Sequence, residues 1–182
     1  PDASELVNAI NQYNIPYSGG SCVKMASGIQ KLKQEYERIK TQCLSGYMSF
    51  QIKLDSPYSG IHFYSHHLIE CVLEVFGCGV QSVLAKRSAN SLAAIVQYHD
   101  FHVILNFGVE RNPIYGGVFG TESSFMTEIN LDNTHERQFE EFLDVIKTGR
   151  SPYSTDFFLT AVKVSNAIEQ SLQTKKEIQI ST

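Results

Sequence analysis

The side chains best suited to chemistry lie in Gly60–Gly77, GIHFYSHHLIECVLEVFG, where His62, His66 and His67 gather at the start of an apolar helix. Leu68, Ile69, Val72, Leu73 and Phe76 recur at helical spacing and Gly77 is placed to end the helix, which puts His66 and His67 in its first turn. Histidine titrates near neutral pH, so modest surroundings make it an acid or a base. Beside Glu70 these histidines also raise a metal, with His62, His66 and Glu70 at i, i+4 and i+8. That spacing aligns ligands only in a helix that begins before His62, which Pro57 and Gly60 disfavour. The acid–base reading is therefore preferred, and no metal site is expected. Adjacent helix residues point about 100° apart, so His66 and His67 cannot share one pocket. We take His66 as structural. The plain alternative for His67 is a ring bonded to the backbone. His62 precedes the helix and is placed to enter the same cleft through the loop.

The elements that must position these residues are legible from periodicity. The chain has 182 residues, 42% apolar and 19% charged, enough for one domain with a real core, or one domain plus a piece of another. Net charge is −4 with no run of lysine or arginine, which argues against nucleic acid and anionic membrane. No apolar stretch approaches the ~20 residues needed to span a bilayer, and no signal-peptide pattern opens the sequence. A soluble, cytoplasmic protein is expected. Cys22, Cys43, Cys71 and Cys78 form no C-x-x-C pair and read as reduced thiols, Cys22 at a strand end and Cys71 in the core.

Asp2 and Glu5 resemble a capping box for a short helix through Leu6, Val7 and Ile10 to about Asn14. A connection and tight turn follow over Ile15–Gly20, then a helix over Ile29–Lys40. From Gly46 the period becomes two, with Met48, Phe50, Ile52 and Leu54 on one face of a strand. Further strands are predicted at 80–86, 92–98, 102–109 and 123–129, with a hairpin turn at His99-Asp100. Gly116, Gly117 and Gly120 read as a bend in the sheet rather than a phosphate loop. Two helices close the chain, one through Phe139, Phe142, Leu143 and Ile146 to Gly149, the other from Ser154 or Thr155 through Leu172. Glu177–Ile180 reads as a final edge strand. The fold class is α+β: a broad, mainly antiparallel open sheet with helices on one face and the other face left for a partner.

Three stretches in this order resemble the C-terminal part of the Gfo/Idh/MocA oxidoreductase family, the glucose–fructose oxidoreductase and inositol dehydrogenase type. IPYSGGS at Ile15–Ser21 is similar to the last nucleotide-domain strand and the crossing that follows it. FYSHHLIECVLEVFG at Phe63–Gly77 is similar to the catalytic helix, and Phe139–Ile180 to the closing F-x-x-x-I-x-T-G-x-x-P helix, long helix and strand. The resemblance implies that residues 1–27 are the remnant of an N-terminal nucleotide-binding domain, a truncated Rossmann fold, and that 28–182 form the substrate-binding and oligomerisation domain. It also implies an NAD(P)-dependent dehydrogenase acting on a sugar, cyclitol or related hydroxyl-bearing small molecule. NAD or NADP would be held mainly by a domain upstream, so this chain alone is expected to be inactive and to contain no cofactor-binding residue. His67 matches the family's active-site histidine, which exchanges a proton with a substrate hydroxyl while the nicotinamide takes the carbinol hydride. The family often has an aspartate four residues earlier; this chain has Phe63, which would shift the proton relay toward Tyr64 or an upstream lysine. Lys24, Tyr64 and His62 are the expected substrate contacts, and a homo-oligomer through the open face of the sheet is implied. Two other readings stand beside this one: a non-catalytic binding or oligomerisation module, and a metal-dependent enzyme using the histidine cluster.

Overall fold

The strand β1 (Cys43–Gln51) lies at the middle of the sheet, and its alternation of side chains sets which residues face the helices. The computed structural model describes residues 3–54, 56–108 and 113–180. In chain order the elements are α1 (Ala3–Tyr13), α2 (Ser27–Ile39), β1, α3 (His62–Phe76), β2 (Ser82–Arg87), β3 (Ser91–Gln97), β4 (His102–Gly108), β5 (Tyr115–Gly120), β6 (Ser124–Glu128), α4 (Thr134–Thr148), α5 (Thr155–Thr174) and β7 (Ile178–Gln179). Short 3₁₀ turns occupy Cys22–Met25 and Lys40–Gln42. The sheet order is β6-β5-β1-β4-β3-β2-β7. Among the described ladders only β1–β4 is parallel. Helix α3 carries the chain back after β1, and the β2-β3-β4 meander then returns it to β1 running the same way.

Met48, Val103, Leu105, Phe107, Ala94 and Val96 point to the helix side and are all but fully buried. Ile29, Leu32, Tyr36 and Ile39 of α2 belong to the same buried cluster, as do Leu68, Ile69, Val72 and Phe76 of α3 and Val164 and Ile168 of α5. Each such side chain contributes about 1.5–3 kcal/mol by leaving water. Phe76 fits because β1 carries Gly46 beneath it: a Cβ there would stand 2.4 Å from the ring. The opposite face carries one apolar row in register across the strands, Met126, Tyr47, Ile104 and Ile95, of which Met126, Ile104 and Ile95 are 56%, 36% and 40% exposed.

The expected helices and strands are present within a few residues, including the hairpin turn at His99-Asp100 and the edge strand β7. Gly77 and Gly149 end α3 and α4 with positive φ, and Ser154 caps α5 by accepting from the Phe157 N–H. Asp2 of the capping box, and residue 109 at the end of the third predicted strand, lie outside the described residues.

Three expectations need correcting. The glycine-rich segment is strand β5, because Gly116 lets Leu32 of α2 approach where a Cβ would stand 2.3 Å away. Helix α3 starts at His62, so His66 and His67 fall in its second turn. Cys22 opens a 3₁₀ turn rather than ending a strand. As expected, Ile15–Ser21 is a connection that turns through Gly19 and Gly20, at φ +144° and +80°.

Candidate active site

His67 projects from the second turn of α3 into the wall of a cavity of about 830 Å³. Phe50 and Gln51 at the end of β1 line it together with Glu128 at the end of β6, Asn130 just beyond, and Tyr64. The His67 ring lies 5.6 Å from that of Phe50 and 6.4 Å from that of Tyr64, centroid to centroid. Its Nδ1 is 2.7 Å from the Ser21 hydroxyl. Burial lowers its pKa from 6.5 to about 4, with the neighbouring His66 and the Lys24 charge acting in the same direction. His67 is therefore neutral at pH 7.

Ser21 reaches α3 because the turn before it is fastened there. Glu70, one turn beyond His67, accepts from the Ser21 N–H and from Lys24 Nζ, each at 2.8 Å. Gly20 passes so close that a Cβ would stand 2.3 Å from Glu70 Oε2. Lys24 donates also to the Gly19 carbonyl at 2.8 Å and sits 4.8 Å from the centre of the Tyr153 ring. It is completely buried.

The expected substrate contacts thus separate. Tyr64 shares the His67 cavity. Lys24 does not reach it, because its ammonium is spent on Glu70, Gly19 and the aromatic cage, and a buried cation without these partners would cost several kcal/mol. His62 is also elsewhere. Its Nδ1 is 2.7 Å from the Ser165 hydroxyl and its Nε2 3.0 Å from Glu169, both on α5, and it lines a second cavity of about 600 Å³ with Arg87. Starting α3 at His62 aims that ring at α5 instead of the cleft. His62, His66 and Glu70 consequently do not converge as a metal site, since His62 is bonded to α5 and Glu70 to Lys24. Among the described residues no three His, Cys, Asp or Glu side chains are arranged to hold a metal ion. Ser21 and the lining Gln51, Glu128 and Asn130 were not singled out from sequence; the only local signal was Ser21's place after Gly19-Gly20.

Neither glycine cluster fits a dinucleotide phosphate cradle. Gly19-Gly20 leads into a four-residue 3₁₀ turn, and Gly116, Gly117 and Gly120 lie inside a strand.

The depressed pKa of His67 has a consequence for stability. The unfolded chain takes up a proton near pH 6.5 whereas the folded chain resists it until about pH 4, so stability is complete above 6.5 and falls as pH drops through this window. His67→Gln is expected to flatten that fall. Urea midpoints for both proteins at pH 7, 5.5 and 4.5 check it; parallel curves would show that His67 carries no such linkage.

No family model matches the chain, and no curated protein matches it in sequence. Solved structures do match in shape. A probable dehydrogenase from Thermotoga maritima superposes with a TM-score of 0.84 at 14% identity, covering 98% of this chain and 69% of its own. Scyllo-inositol dehydrogenase from Lactobacillus casei, solved with bound NAD(H) and scyllo-inositol, gives 0.78 at 13% identity over 99% of this chain and 69% of its own. Myo-inositol 2-dehydrogenase from Lactobacillus plantarum gives 0.79 at 13% identity, with coverage of 98% and 69%. The chain has the α+β fold that these dehydrogenases contain over about 69% of their length.

Proposed function

We propose that this chain is the substrate-binding domain of an NAD(P)-dependent oxidoreductase acting on a sugar, cyclitol or related polyol-like molecule. The observation that carries the reading is a neutral His67 on the wall of a polar-rimmed cavity, in a fold shared with inositol dehydrogenases. Gln51, Glu128 and Asn130 offer both donors and acceptors, as a substrate with several hydroxyls requires. His67 meets the oxygen of the reacting carbon, and Tyr64 helps orient the ring of the substrate.

On this reading the dinucleotide is held by a separate nucleotide-binding domain to which residues 1–27 belong, with 28–182 forming the substrate domain. Helix α1 buries none of its side chains here, and Leu6, Phe139 and Ile146 of α1 and α4 are 62%, 60% and 64% exposed, which suits a further domain packed across them. The chain by itself would bind no NAD(H) and turn over nothing.

In the protein that includes the nucleotide domain, His67→Ala is expected to lower kcat about 10²–10⁴-fold, with NAD(H) affinity unchanged and the protein still folded at the assay temperature. A screen of sugars and cyclitols for NAD(P)H formation supplies the assay. Undiminished turnover would instead favour a module that binds without catalysing.

The open face of the sheet is proposed to pair with a second copy of the chain through the Met126–Tyr47–Ile104–Ile95 row. Sedimentation at micromolar concentration should show a dimer or higher oligomer that Ile104→Asp dissociates. A wild-type monomer would contradict the assignment.

A further inference from the structure

We propose that Ser21 is the positioning residue of His67, fixing the ring as the tautomer that carries its proton on Nε2 and presents an N–H to the cavity. This rests on the reading of His67 as the group that meets the substrate oxygen.

The argument begins with the hydroxyl. Ser21 is 1% exposed, so its O–H hydrogen must find an acceptor within the protein. As the N-cap of the Cys22–Met25 turn, its oxygen accepts from the Val23 N–H at 3.1 Å. The other group within reach among the described residues is His67 Nδ1 at 2.7 Å. Placing the hydroxyl proton on that bond satisfies Ser21, and it requires Nδ1 to be the acceptor. A neutral imidazole has one N–H, so the proton then sits on Nε2. The opposite tautomer would aim the Nδ1 proton at the serine oxygen and leave the serine's own hydrogen without a place to go.

What holds Ser21 there is as specific as the bond itself. Its backbone N–H donates to Glu70, which stands three residues after His67 on the same helix, so the serine and the histidine are registered against one element. Gly20, at φ +80°, allows the turn to lie on the Glu70 carboxylate. No carboxylate precedes His67 by one turn: that position is Phe63, 43% exposed and packed against Tyr58 and Tyr64. The ring is therefore oriented by a hydroxyl from a segment 46 residues away. A hydroxyl, unlike a carboxylate, adds no negative charge to favour the imidazolium, which agrees with the neutral state that burial imposes. His67 consequently meets the substrate oxygen as a hydrogen-bond donor.

Long-range ¹H–¹⁵N spectra of the His67 ring at neutral pH test this, with His67→Gln used to assign the signals. The wild-type chain and Ser21→Thr should show the Nε2–H tautomer, whereas Ser21→Ala should show a mixture of both. In the protein that includes the nucleotide domain, Ser21→Ala should lower kcat about tenfold, the worth of one buried hydrogen bond, and Ser21→Thr should restore it. A wild-type ring protonated on Nδ1, or already a mixture of tautomers, overturns the proposal even if Ser21→Ala fails to fold. An unchanged spectrum in a folded Ser21→Ala does the same. The catalytic reading fails separately, by undiminished turnover in His67→Ala, whatever the tautomer proves to be.

Discussion

The arrangement of the site depends on one buried ion pair. Lys24 and Glu70 meet at 2.8 Å with side chains 0% and 5% exposed, where each charge alone would be costly to hold. Geometry makes the pair tolerable. Lys24 has the Gly19 carbonyl and the Tyr153 face as further partners, and Glu70 has the Ser21 N–H. Removing one partner from such a buried pair costs about 3–5 kcal/mol, a large part of what a domain of this size has in total. The pair therefore acts less as added stability than as a constraint on where the 19–24 turn can lie. With Gly20 and Ser21 pressed onto α3, the Ser21 hydroxyl has one histidine nitrogen to meet.

The two faces of the sheet present different surfaces. The helix side builds α3 and the turn that fastens to it, and thereby aims His67 into the space at the ends of β1 and β6. The other side keeps a row of apolar side chains in the open. A row in strand register is a surface that a second, identical row can match across a two-fold axis. On the proposed reading the two surfaces meet at the cavity, since Gln51 and Glu128 share strand faces with Tyr47 and Met126.

Much of this was readable in the sequence, and the parts that were not have physical reasons. The α3 core stripe and the β1 alternation were legible because periodicity is local, and His67 and Tyr64 were placed beside one cleft. Strand β5 was not, because Gly116, Gly117 and Gly120 have no side chains to register a period of two; their meaning lies in Leu32, on a helix more than eighty residues earlier in the chain. Lys24 and Glu70 were each visible as charged residues, but a contact spanning 46 positions leaves no local mark. Read locally, Lys24 is free to meet a substrate and Glu70 a metal; only the fold brings them together. The partners of the His62 ring are hidden for the same reason: Ser165 and Glu169 stand more than a hundred residues away.

The central claim is that the turn carrying Ser21 is held by the carboxylate of Glu70 as firmly as the helix beneath it. Amide hydrogen exchange at Ser21 tests this most directly, because its N–H donates to Glu70 and to no strand or helix. Protection matching that of the α3 core amides, and falling on Glu70→Ala by clearly more than that of the α3 amides, is the expected result. Exchange in the wild-type chain at the rate of an open loop would mean that the turn is not clamped, and that Ser21 has no fixed hold on His67.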